Sequence, residues 1–193
     1  MSTQEGAQNT QAREELFNRI KAKVLTRFTA DHIASYKTSK GDTQNSERRV
    51  IADVKSILNE ENLTYKEAGS QQPKDFRNVG GIGLDIEVKK TDSETVVFND
   101  TCPAKDVYYL VFFTGKQKGR KNKRTVVPPQ VVCVNGYEFV KDSPWIEEYQ
   151  AAINALKDKY ARGEGKKQLS GMMSVYPRPT YRADIATLLE TTE

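Results

Sequence analysis

Residues 73–89, Pro73-Lys74-Asp75-Phe76-Arg77-Asn78-Val79-Gly80-Gly81-Ile82-Gly83-Leu84-Asp85-Ile86-Glu87-Val88-Lys89, read as one β-hairpin. The short runs on either side of Gly80-Gly81-Ile82-Gly83 alternate polar and apolar residues, as half-buried strands do. The three glycines tolerate the positive φ that a tight connection needs. A turn centred near Gly81 sets Asp75 opposite Glu87. Side chains two apart on a strand share a face, so Asp85, Glu87 and Lys89 point one way while Ile86 and Val88 point into the core. Two carboxylates and an ammonium then meet on one wet edge.

That grouping suits metal-assisted hydrolysis of a phosphodiester. Carboxylates such as Asp75 and Glu87 are hard oxygen donors for Mg²⁺, an ion that keeps several waters, neutralises charge on a phosphate and lowers the pKa of a bound water. Lys89 has three readings beside it: orienting the attacking water, stabilising the pentavalent phosphorus, or transferring a proton after burial and a cationic neighbour depress its pKa. Asp85 has two, a third acidic ligand on the same face or a charge at a strand start.

These residues resemble the PD-(D/E)xK nuclease superfamily, whose signature is an acidic residue, a gap, and then Asp or Glu-x-Lys. Pro73-Lys74-Asp75 and Glu87-Val88-Lys89 match it, with Lys74 standing where many members have proline directly before the aspartate. The stretch from Lys90-Thr91 through Phe98-Asn99-Asp100-Thr101-Cys102-Pro103 to residues 106–113 is similar to type II restriction enzymes, in which a short second hairpin strand precedes a central strand. The resemblance covers roughly residues 46–135. It implies a restriction-endonuclease-like α/β fold, a mixed central β-sheet flanked by helices. It further implies a Mg²⁺-dependent endonuclease acting on double-stranded DNA, with Asp75 and Glu87 as metal ligands and Lys89 serving the water. Cleavage would leave 5′-phosphate and 3′-hydroxyl ends, with one metal ion or two. A palindromic target favours a homodimer, because a twofold site mirrors a twofold protein, with a monomeric nicking cycle as the alternative. Two alternatives stand beside this reading: a structure-specific junction or repair nuclease with the same site, and a noncatalytic nucleic-acid-binding protein.

The resemblance also gives Glu47 a role, since an acid from the helix before the hairpin joins the metal site in many restriction-like folds. The competing reading is a favourable charge in a helix's first turn. Arg48 and Arg49 are surface charges or phosphate contacts. Ser70, Gln71 and Gln72, just ahead of Asp75, are a surface loop or a nucleic-acid contact.

Composition narrows the field. The chain has 193 residues, enough for one compact domain with a real core. Charged residues make up 29% and the mean hydropathy is −0.70, yet 9 Tyr, 7 Phe and spaced Val/Ile/Leu runs predict a folded interior. No apolar run is long enough to span a bilayer and the first residues lack a signal-peptide core, so a cytoplasmic protein without membrane contact is expected. Cys102 and Cys133 have 30 residues between them and no Cys-x-x-Cys spacing, which disfavours zinc ribbons and redox pairs and predicts free, buried thiols. His32 is the only histidine, so chemistry that needs a histidine base together with a histidine ligand is excluded.

Along the chain, residues 1–10 are polar without periodicity and are expected to be a flexible tail, leaving 11–193 as one nuclease domain with a C-terminal arm from about residue 163. Leu16, Phe17, Ile20, Val24, Leu25 and Phe28 predict a first helix over 13–28, and residues 37–45 a loop. Val50, Ile51, Val54, Ile57 and Leu58 predict a second helix over 47–58, capped by Ser46. A short strand follows over 63–68. Residues 107–114 and 130–134 are apolar runs that predict buried strands, and residues 145–160 a helix entered through Ser143-Pro144.

Lys116, Lys118, Arg120, Lys121, Lys123 and Arg124 place six basic residues within nine, with no acid among them. Such a loop is a phosphate clamp or a solvated surface loop; the net charge is only +4, so the basicity is local. Lys166-Lys167 form a second basic pair. The proline-marked residues 169–182 are a recognition arm, a dimer surface or an ordinary packed tail, with a short helix expected over 183–189.

Overall fold

A computed structural model of the chain describes residues 2–39, 42–67, 74–99, 102–118, 125–160, 180–184 and 188. Helix α1 (Ser2–Arg27) turns Phe17, Ile20 and Val24 inward at spacings of three and four, and Phe28 follows just past its end. It begins at Ser2, so the aperiodic residues 2–10 belong to the helix; Leu25, expected on the apolar stripe, is 50% exposed. A one-turn helix, α2 (Ala30–Ala34), is capped by Thr29, whose hydroxyl accepts from the His32 N–H. Helix α3 (Thr43–Glu60) starts ahead of the expected cap. Ser46 lies inside it, buried, and donates its hydroxyl to the Tyr36 carbonyl; the serine ties the helix to the preceding loop instead of capping it. The helix ends where Asn62 turns left-handed at φ 55°, with Leu63 N–H reaching Leu58 O and Asn62 N–H reaching Asn59 O, a Schellman closure.

The strands are β1 (Lys66–Glu67), β2 (Phe76–Val79), β3 (Leu84–Thr91), β4 (Thr95–Asn99), β5 (Val107–Phe113), β6 (Lys116–Lys118), β7 (Thr125–Val127), β8 (Gln130–Asn135) and β9 (Thr180–Asp184). Helices α4 (Tyr137–Val140) and α5 (Trp145–Tyr160) lie between β8 and β9. The protein is of the α/β class. Five strands form a mixed sheet in the order β1-β2-β3-β5-β8, with β3 and β5 parallel and every other neighbour antiparallel.

One face of this sheet carries Phe76, Val79, Leu84, Ile86, Val88, Tyr108, Leu110, Phe112, Val131 and Cys133 beneath α1, α2 and α3. The other face is divided. Over β5 and β8 it is apolar, with Val107, Tyr109, Val111, Phe113, Val132 and Val134 packed against Val96 and Phe98 of β4, Phe139 and Val140 of α4, Ile146 of α5, and Ala183 of β9. Over β1, β2 and β3 the same face carries Lys66, Arg77, Asp85, Glu87 and Lys89. A sheet face that turns from apolar to charged at one strand boundary puts the site at that boundary.

Two expected pairings change. β4 leaves the main sheet and pairs with β9, so part of the C-terminal arm is a strand; Thr180–Asp184 includes the start of the helix expected over 183–189. The basic segment opens on a ribbon, β6 antiparallel to β7. Among the described residues no helix is long and apolar enough to cross a membrane.

Candidate active site

The turn between β2 and β3 fixes the register on which the site depends. Val79 pairs with Leu84, and Gly80 stands at φ 68°, where a Cβ would come within 2.7 Å of Leu16 Cδ2. One extra residue is absorbed in β2 between Phe76 and Val79, with Asn78 left-handed at φ 52°. Phe76 then faces Ile86, so Asp75, the residue before β2, comes level with Glu87.

The two carboxylates are locked by a reciprocal pair of backbone hydrogen bonds. Asp75 Oδ2 accepts from Val88 N–H at 2.7 Å, and Glu87 Oε2 accepts from Lys74 N–H at 2.5 Å. Each acid thus grips the amide next to the other acid. Glu87 Oε1 holds Lys89 Nζ at 2.6 Å, and the same ammonium lies 5.4 Å from the centre of the Phe98 ring. Carboxylate on one side and aromatic face on the other fix where that charge sits. The expected trio of Asp75, Glu87 and Lys89 is brought together on one side of the sheet.

Asp75 is under electrostatic stress. Burial first, and then the charge of Glu87, push its carboxyl up to about 6; the Val88 amide and Lys89 oppose this, and Glu47 adds to it. Glu47 is exposed, and with α3 starting at Thr43 it falls in the second turn. The first-turn dipole reading of Glu47 therefore does not apply, while its charge is felt at Asp75. Tyr109, the β5 neighbour of Glu87, keeps its phenol well above the ordinary value, through burial chiefly and through Glu87 among the acids, so it stays neutral.

Asp85 is occupied elsewhere. Its Oδ2 takes Lys74 Nζ at 2.7 Å and its Oδ1 takes Asn78 N–H at 2.9 Å, so it anchors the hairpin. Lys74, in sequence only an interruption of the motif, is a central residue. Its backbone is left-handed at φ 76°, and it binds Glu87 through its amide and Asp85 through its ammonium. The only sequence signal for it was its place between Pro73 and Asp75.

A divalent ion fits this donor set. Asp75 and Glu87 are hard oxygen donors level with one another across the hairpin, and burial together with the Glu87 charge makes Asp75 resist ionising. Among the described residues no group of three or more acids, histidines or cysteines could hold a metal. An ion here would rest on two carboxylates, the sparse protein coordination that Mg²⁺ accepts beside water and phosphate.

The other expected contacts are scattered. Arg49 lies over the Tyr36 ring at 5.5 Å and donates to the Ser35 carbonyl, so it is engaged in the fold, while Arg48 is exposed. Lys116 is exposed at the start of β6 and Lys118 ends that strand; Arg120, Lys121, Lys123 and Arg124 lie outside the described residues, as do Ser70, Gln71, Gln72, Pro73 and Lys166-Lys167. Both cysteines are free, and burial pushes the Cys133 thiol up to about 12. No family model, curated protein or solved structure matches this chain, so the reading of the site rests on its own residues.

Proposed function

We propose that the protein is a Mg²⁺-dependent endonuclease of double-stranded DNA with a restriction-endonuclease-like fold, a type II enzyme of the PD-(D/E)xK superfamily acting in the cytoplasm as a homodimer. The observation that carries this reading is the reciprocal clasp of Asp75 and Glu87, with Lys89 held 2.6 Å from Glu87. The five-stranded mixed sheet with helices on both faces supports it as the frame that the resemblance implies.

When bound, the metal ion supplies charge neutralisation at the phosphate and a water of lowered pKa. Asp75 and Glu87 are the residues that would hold it. Lys89 presents its ammonium N–H donors to the attacking water or to a phosphoryl oxygen, and Glu87 and Phe98 keep it from swinging away. Water attacks phosphorus in line with the 3′ oxygen. The new P–O bond stays on the 5′ phosphate, the P–O3′ bond breaks, and the 3′ oxygen takes a proton.

The test is incubation of the purified protein with mixed genomic DNA, with Mg²⁺ or with a chelator, followed by sequencing of the fragment ends. Discrete 5′-phosphate ends that need Mg²⁺ are expected. Lys89→Ala should lose about 10² or more in rate while still binding DNA. Cutting confined to branched DNA would assign the site to a junction or repair nuclease. DNA binding by a wild type that never cuts would leave a noncatalytic binding protein.

A further inference from the structure

We infer that Arg77 grips a phosphate of the bound nucleic-acid strand, next to the phosphate under attack, an inference that rests on the nuclease reading above. Arg77 follows Phe76, whose ring is fully buried in the helix-covered core. Phe76 pairs with Glu67 and Ile86 while Arg77 pairs with Lys66, so alternation turns Arg77 to the charged half of the opposite face, with Asp85 and Glu87.

On that face Lys74 and Lys89 each hold a carboxylate, at 2.7 and 2.6 Å. Arg77 does not. Its Nε is buried without a hydrogen-bond partner, and among the described residues no acid forms an ion pair with it. Asp85, the acid best placed by register to take that bond, is committed to Lys74 and the Asn78 amide. A guanidinium cannot shed its charge, and no acid among the described residues pairs with this one, so the charge points to an anion supplied from outside the chain and met by the terminal N–H groups.

A phosphodiester suits it. The planar fork of N–H donors matches two phosphate oxygens. Arg77 also stands two residues beyond Asp75, about 6.7 Å along an extended chain. That is of the order of the spacing between successive phosphates on one strand. A strand with its reacting phosphate at Asp75 and Glu87 therefore brings a neighbouring phosphate to Arg77. The extra residue at Asn78 sharpens the local twist of β2 beside it.

The experiment measures binding of a fluorescein-labelled mixed-sequence duplex, in chelator, by the full chain and by Arg77→Gln and Arg77→Lys, across a range of salt concentrations. Cleavage with Mg²⁺ and thermal unfolding are measured on the same three proteins. Arg77→Gln should bind about tenfold more weakly, with the salt slope reduced by about one phosphate contact, and should melt no lower than wild type because no bond within the fold is lost. Arg77→Lys should restore the slope but only part of the affinity, lacking the fork. A wild type that cuts DNA together with an Arg77→Gln of unchanged affinity, slope and rate overturns the assignment of Arg77 alone. A wild type that neither binds nor cuts overturns the nuclease reading and Arg77 with it. An Arg77→Gln that melts well below wild type makes Arg77 a folding residue and overturns the inference.

Discussion

At the scale of single residues, the site is held at a cost that titration can read. A carboxyl raised from 3.8 to about 6, as at Asp75, corresponds to about 3 kcal/mol of disfavoured ionisation in the folded state. Because the folded protein then binds its proton more tightly than the unfolded chain, this group makes the metal-free protein lose stability as pH rises from about 4 to about 6. Asp92 works in the opposite sense. Burial alone would raise it, but hydrogen bonds from Lys90, Thr114 and Thr38 hold it at about 2, so its contribution is present at neutral pH and is lost as pH falls through that value. Asp75→Asn should therefore be about 2 kcal/mol more stable than wild type at pH 7.5 in chelator, and equal to it near pH 4, while losing nearly all cleavage. Denaturant unfolding at the two pH values checks the sign, and a wild-type advantage at pH 7.5 would contradict it. At Lys74 the left-handed backbone at φ 76° sets a second expectation. Lys74→Gly should be about 1 kcal/mol more stable than Lys74→Ala, since both lose the Asp85 pair but only glycine adopts that φ freely. Thermal melts of the two variants give the order directly.

At the scale of elements, local pattern was a good guide wherever one interaction dominated. The unbroken apolar runs gave β5 and β8 away, because a strand buried on both faces has no room for alternation. Helix α5 begins and ends where its periodicity does. The hairpin that sets Asp75 level with Glu87 followed from alternation and three glycines. Helix α3 did not yield its start, since Ser46 resembles a cap but uses its hydroxyl on Tyr36 across the loop, a tertiary contact invisible in spacing. The partnership of β4 with β9 was equally hidden, as it joins segments some eighty residues apart in the chain. Glu47's position in the second turn follows from the same shift in the start of α3. Removing the Ser46 hydroxyl should cost about 1–2 kcal/mol by leaving a buried carbonyl unanswered, whereas Asp42→Ala should be nearly neutral, because Asp42 makes no capping bond. The reverse order in urea melts would move the helix start back to Ser46.

At the scale of the whole molecule, two cores clamp one sheet and, among the described residues, leave half-buried charged side chains on part of one face. The helices bury one face from β2 to β8, and among the described residues β4, β9, α4 and α5 pack on the other chiefly over β5 and β8. The residues Lys66, Lys74, Asp75, Arg77, Asp85, Glu87 and Lys89 are left together there, the set on which the proposed binding of a polyanion and a divalent ion rests. The composition foretold a folded, charge-rich protein, but the division of one sheet face between core and site depends on which strands lie side by side, and that is a non-local property. In the proposed enzyme Glu87 belongs to the chemistry, whereas Asp85, two residues away on the same strand face, is held by Lys74 and the Asn78 amide and belongs to the hairpin. Single-turnover cleavage of duplex DNA at saturating Mg²⁺ by Glu87→Gln and Asp85→Asn separates the two roles. Glu87→Gln should fall by about 10² or more while Asp85→Asn stays within about tenfold of wild type; equal losses in both, or a Glu87→Gln that cuts at the wild-type rate, would contradict the account.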